Sequence, residues 1–171
     1  MTRAGAGNQA DLEELEAQIL RCSEDGQSAV SDEAETAVTA LMDALTRGVV
    51  RSARIVGDEW QAVEWVKTGI LLAFRIGRVR EFPAAPAPFF DKDTLPLRET
   101  RGVEENIRLV PGGTSVRSGA FLAKDVIIMP PAFVNVGAYV GQGTMIDSHA
   151  LVGSCAQVGQ RVHLSAGAQL G

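Results

Sequence analysis

From Val110 onward the chain places an aliphatic side chain at every sixth position: Val110, Val116, Leu122, Ile128, Val134, Val140, Ile146, Val152, Val158, Leu164 and Leu170. A period of six fits neither a helix, whose apolar face recurs at three and four, nor a long strand, which alternates at two. Four residues after each of the first ten stands a small or β-branched residue: Thr114, Ala120, Val126, Ala132, Ala138, Thr144, Ala150, Ala156, Val162 and Ala168. Side chains alternate across a strand, so each aliphatic residue and the small one two positions before it face the same way. Three such six-residue edges close a triangular coil with one large and one small side chain per edge inside. The segment therefore reads as a parallel β-helix of hexapeptides. It supplies a little over three coils, a prism about 16 Å tall at the usual strand spacing. Gly141, Gly153, Gly159 and Gly171 directly follow aliphatic positions, where the backbone is expected to turn sharply.

The first hundred residues have a helical period instead. Leu12, Leu15, Ile19 and Leu20 share one face of a first helix, and the first ten residues are expected to be loose. Asp32, with Glu35 three residues later, resembles a capping box; Val38, Leu41, Met42 and Leu45 form the stripe that follows, and Gly48 is the expected C-cap. Two short strands are expected around Gly57-Asp58, then an apolar helix over EWVKTGILLAFRI. Trp60 and Trp65 read as packing residues. Pro83, Pro86, Pro88 and Pro96 interrupt helix formation, so residues 81 to about 105 read as an extended connection. The fold class is α+β, with a mainly helical domain over 1–105 and a β-helix over 106–171.

Composition narrows the function. The chain has 171 residues, of which 46% are hydrophobic and only 5% aromatic, so its cores must be built from Val, Ile, Leu and Ala. A net charge of -5 without any basic cluster argues against nucleic acid and anionic lipid as partners. The longest apolar run, GILLAF, is far short of the ~20 residues of a membrane span, and the N-terminus lacks the apolar core of a secretory signal. Cys22 and Cys155 match no zinc or redox spacing, which fits a reducing compartment. A soluble cytoplasmic protein is expected.

The motifs GTMIDS, VGSCAQVG and VHLSAG, with WQAVEWVKTGILLAFRI and FFDKD before them, are similar to the tetrahydrodipicolinate N-succinyltransferase family of hexapeptide acyltransferases. The similarity runs from about residue 35 to the end and is densest from Arg108. It implies a left-handed β-helix, against the usual right-handed crossover rule. It further implies succinyl transfer from succinyl-CoA to the amine of ring-opened tetrahydrodipicolinate in lysine and diaminopimelate biosynthesis. The products are N-succinyl-2-amino-6-oxopimelate and CoA. Homotrimers with active sites in the clefts between β-helices, no metal and no permanently bound cofactor are also implied.

Carried onto this chain, the resemblance makes Asp147 the substrate-binding aspartate. A carboxylate there can hold the acceptor ammonium and take its proton, although Asp is also a favoured turn residue. Arg108 matches the substrate-binding arginine, whose guanidinium can grip a carboxylate through two parallel hydrogen bonds. Arg117 and Lys124 read as solvated cations. His163 reads as structural or cleft-lining, and His149 stands where the family usually has tryptophan. Cys155 reads as a small interface residue and not a nucleophile. The family continues past Gly171 through further coils that carry a second acidic residue and most of the CoA surface, so the chain reads as C-terminally truncated and inactive alone. The CoA-contacting residues are unassigned. An acetyl-CoA-dependent acyltransferase acting on a similar dicarboxylate, or a non-catalytic trimerisation module, are the alternatives.

Overall fold

A computed structural model describes residues 9–24, 31–83 and 87–171. Helix α1 (Gln9–Glu24) begins within the ten residues expected to be loose; residues 1–8 of that stretch, and Pro86, lie outside the described residues. Leu15 and Ile19 are buried while Leu20 is exposed, so the apolar face is narrower than its spacing suggests. Helix α2 (Asp32–Thr46) is capped by Ser31, whose hydroxyl oxygen accepts from the Ala34 amide at 3.1 Å. The cap is thus one residue earlier than expected. Asp32, Glu33 and Glu35 instead put negative charge at the positive end of the helix dipole. Val38, Leu41, Met42 and Leu45 are all buried. The helix closes in a Schellman motif: Gly48 adopts φ +71°, its amide donates to the Leu45 carbonyl, and the Val49 amide donates to Ala44.

Strands β1 (Ala53–Val56) and β2 (Glu59–Ala62) form the expected hairpin, and α3 (Glu64–Ile76) completes a three-helix core. The supposed extended connection is different. Strands β3 (Val79–Phe82) and β4 (Phe89–Lys92) pair antiparallel, and Phe82 stacks on Phe89 at 5.1 Å. Pro83 and Pro88 flank the paired residues, so no ladder donor is missing and a hairpin survives in a proline-rich stretch. Leu95 then joins the helical core, and Leu97 bridges to Arg117.

Beyond the hairpin, the Arg98 side chain is 3% exposed and grips both oxygens of Glu105, at 3.0 and 2.7 Å. Hydrogen bonding from Arg98 holds the Glu105 carboxyl below the ordinary range. A depressed carboxyl stabilises the fold at pH values above its unfolded pKa and loses that contribution as pH falls through the lower folded value. The wild-type melting temperature should therefore fall as pH drops from about 5 to 3, and Glu105→Gln should cost stability at neutral pH but much less at acid pH. A wild-type to variant gap that does not shrink on acidification would refute the assignment.

Thereafter the chain winds into a left-handed parallel β-helix of two-residue strands in three stacks. One holds β7 (Phe121–Leu122), β10 (Tyr139–Val140) and β13 (Gln157–Val158). A second holds β5 (Arg108–Leu109), β8 (Ile127–Ile128), β11 (Met145–Ile146) and β14 (His163–Leu164). The third holds β6 (Ser115–Val116), β9 (Phe133–Val134), β12 (Leu151–Val152) and β15 (Gln169–Leu170). Partners are 18 residues apart, three hexapeptides, except that Arg108 pairs with Ile127 across 19. Pro111-Gly112-Gly113 absorbs the extra residue. Val110 is consequently only half-buried, and the interior rhythm starts at Val116 instead. Thr144 is the buried polar residue of this core; its hydroxyl donates to the Gly159 carbonyl at 2.8 Å and accepts from the Val162 amide.

The turns also fall elsewhere than expected. Positive φ occurs at Gly119, Asp125, Gly137, Gly143, His149, Cys155, Arg161 and Gly167, three residues after an interior aliphatic and not one. Gly141 and Gly153 serve close approach between coils instead. A Cβ at Gly141 would lie 2.5 Å from the Gly159 carbonyl oxygen, and one at Gly153 would lie 2.6 Å from that of Leu170.

The helical half sits on the face that carries Phe121, Tyr139 and Gln157. Thr46 accepts from the Gly119 amide at 2.8 Å, Ser52 donates to the Gly137 and Cys155 carbonyls, and Val136 is built into the helical core. The docking extends to the lowest strand of the third stack, where the Arg98 amide donates to the Val116 carbonyl at 2.8 Å and Leu97 bridges to Arg117. Among the described residues no helix is long and apolar enough to cross a membrane.

Candidate active site

On the face formed by β5, β8, β11 and β14, register pairing lines up Arg108, Ile127, Met145 and His163, one above another. Their strand partners Ile128, Ile146 and Leu164 are buried, so by alternation this column points outward. Asp147 stands beside it, two residues past Met145 at the start of a corner.

The corner fixes Asp147 closely. Its amide donates to the Leu164 carbonyl at 2.9 Å, and its own carbonyl accepts from Ala150 at 3.2 Å. Oδ1 accepts from the Ser148 amide at 2.7 Å. Oδ2 lies 3.4 Å from His163 Nε2, and the side chain is 29% exposed, open to a ligand from solution. Arg108 is held by backbone pairing, its amide donating to Val126 at 2.9 Å, while its exposed guanidinium has no carboxylate partner among the described residues. Two coil spacings, about 10 Å, separate its strand from that of Met145. Ile127 and Met145, both half-buried, form the apolar floor between the cation and the carboxylate.

The remaining candidates fall outside this arrangement. His149 is exposed at the next corner, beside Pro131, Phe133 and Leu151, and no hydrogen bond of its ring is found among the described residues. Arg117 is not a solvated cation: it is 15% exposed, ion-paired with Asp91 and set over the Phe74 ring, where it ties β4 to the β-helix. Lys124 is exposed. Cys155 packs against the helical core, and burial pushes its thiol pKa up, so it stays protonated and is a poor nucleophile. Trp65 packs as expected, but Trp60 is 56% exposed. Instead of filling a core it flanks Arg51, whose guanidinium also lies 3.6 Å from the Tyr139 ring and donates to Gln157 at 2.8 and 3.0 Å.

The contact between His163 and Asp147 is the feature that reading residues singly misses. The interval that closes a coil is 18, so position 163 stacks on 145 and reaches 147 diagonally.

Residues 12–76 match the model described as "Tetrahydrodipicolinate N-succinyltransferase N-terminal", a match that ends where α3 ends. Curated relatives extend the likeness into the β-helix. A 2,3,4,5-tetrahydropyridine-2,6-dicarboxylate N-succinyltransferase from Idiomarina loihiensis is 41% identical over 149 residues, 82% of this chain and 52% of the relative. The protein of that name from Sodalis glossinidius is 41% identical over 140 residues, covering 79% of this chain and 50% of its own length. That from Bradyrhizobium diazoefficiens is 40% identical over 145 residues, 81% and 51% respectively. The chain spans about half the length of the curated relatives it matches.

Proposed function

Because the chain belongs to the tetrahydrodipicolinate N-succinyltransferase family, we propose that it carries the acceptor side of a site that moves a succinyl group from succinyl-CoA to an aminodicarboxylate. The acceptor is ring-opened tetrahydrodipicolinate. Its free amine attacks the thioester carbonyl, the C–N bond forms as C–S breaks, the amine loses one proton, and CoA leaves with its thiol restored. The products are N-succinyl-2-amino-6-oxopimelate and CoA, on the way to diaminopimelate and lysine. Succinyl-CoA acts as a co-substrate and not as a resident cofactor.

The observation that carries this reading is the charge order along one face. Arg108 offers two parallel donors to a terminal carboxylate. Ile127 and Met145 suit the methylene chain, and Asp147 suits the amine at the other end, where it aligns the nucleophile and accepts its proton. A module serving only to trimerise would have no use for a guanidinium without a carboxylate partner among the described residues and an open carboxylate on the same face. The relatives' names support a succinyl donor over an acetyl one. We further propose a cytoplasmic homotrimer. The trimer is supported by the half-buried apolar centres of two faces of the prism, Ile127 and Met145 on one, Phe133 and Leu151 on the other, apart from the Phe121–Tyr139–Gln157 face against which the helical half docks.

The test is acceptor-dependent release of free thiol from succinyl-CoA, with the protein carried to the length of its relatives. Stoichiometric release is expected; no release with tetrahydrodipicolinate present would overturn the reading. Within that assay Arg108→Leu should raise the acceptor KM about 10–100-fold with a smaller change in kcat, because the arginine holds the carboxylate equally well in the ground and transition states. An unchanged KM would remove Arg108 from the site.

A further inference from the structure

We propose that His163 is a positioning residue for Asp147, holding its carboxylate in the one orientation that faces the acceptor amine; the inference rests on the function proposed above. Three observations carry it. First, the two oxygens of Asp147 are differently committed: Oδ1 is taken by the Ser148 amide at 2.7 Å, so Oδ2 is the oxygen left for chemistry. Second, the side-chain group near Oδ2 is His163 Nε2, at 3.4 Å. That distance is at the long end of hydrogen bonding, and such contacts in unliganded sites commonly tighten once substrate is present. Third, backbone pairing holds the two residues together: β11 and β14 are adjacent strands, and the Asp147 amide itself bonds to Leu164, the neighbour of His163.

The geometry assigns a tautomer. To serve Oδ2, the imidazole must carry its proton on Nε2 and donate it. The donated bond occupies one lone-pair direction of Oδ2 and leaves the other for the amine. Without it, rotation about the Cβ–Cγ bond is opposed only by the Ser148 contact on Oδ1. The His163 side chain is 58% exposed, so its packing contributes little and removing it should not unsettle the coil. Of the other charged groups, Arg108 lies two strands below β11, and Arg161 sits at the preceding corner beside Gly143, with no ion pair to Asp147 among the described residues.

A double-mutant cycle in the thiol-release assay tests this. His163→Ala should lower kcat about 10-fold with the acceptor KM within about twofold, and His163→Gln, whose amide can donate to the same oxygen, should restore most of the rate. In an Asp147→Asn background, His163→Ala should have no further effect, because there is no carboxylate left to orient. Melting temperatures of both His163 variants should match wild type. If the two single effects multiply, or if His163→Gln is as impaired as His163→Ala, the positioning role is wrong although Asp147 keeps its own. If Asp147→Asn itself leaves kcat intact, it is the proposed function that fails.

Discussion

Asp147→Asn should lower kcat by about 10²–10⁴-fold while the protein remains folded. The substitution is nearly isosteric, and the asparagine carbonyl can still accept from the Ser148 amide. The corner is held by backbone bonds from Asp147 to Leu164 and from Ala150 to Asp147, which the change does not touch. Under the proposed function, what disappears is the negative charge that would attract an ammonium and the base that would remove its proton. Both effects fall on the nucleophile, so the deficit should appear mainly in kcat, in contrast to Arg108→Leu. A melting temperature within a degree or two of wild type would show that chemistry and not folding is affected. A kcat within threefold of wild type would exclude Asp147 from proton transfer.

The largest effect on stability is expected at Gly141. An alanine Cβ there would lie 2.5 Å from the Gly159 carbonyl oxygen, 2.6 Å from its carbon and 2.8 Å from the Gln160 amide nitrogen. All three are backbone atoms of the next coil. The same Gly159 carbonyl receives the hydroxyl of buried Thr144, so moving it would also disturb a satisfied polar group in the core. Overpacking of this kind typically costs 1–3 kcal/mol, and with no flexible side chain to give way the upper end is expected, about 3 kcal/mol or about 6–12 °C in melting temperature. A melting temperature for Gly141→Ala within about 2 °C of wild type would refute the close-approach explanation.

Crowding of this kind marks a limit on what the sequence discloses. The interior of the β-helix is legible because only aliphatic and small side chains fit there, so position and residue type coincide from Val116 onward. The corners are not legible in the same way. Gly119, Asp125, His149, Cys155 and Arg161 share a left-handed backbone but no common chemistry, and the glycines that catch the eye, Gly141 and Gly153, mark crowding between coils. The β3–β4 hairpin is hidden by prolines that lie outside its ladder. Arg117 and Trp60 illustrate a related gap: whether a surface side chain is free or engaged depends on how the two halves dock, which no local pattern records. For the candidate site, Arg108 and Asp147 stand out through resemblance to a family, and the coil register supplies what that resemblance lacks, their common face and the nearness of His163.

The register has a further consequence for how such a site can change. Arg108 and Asp147 lie at different levels of one face, and any alteration in chain length between them must keep that face, as both the 19-residue step from Arg108 to Ile127 and the 18-residue step from Ile127 to Met145 do. The gap between cation and carboxylate is therefore quantised, adjustable only in increments of one coil, about 4.8 Å. Point substitutions can retune the ends of this ruler, but lengthening it requires a whole turn of chain. A substrate with one methylene more or less must be met by the reach of the arginine, not by the scaffold.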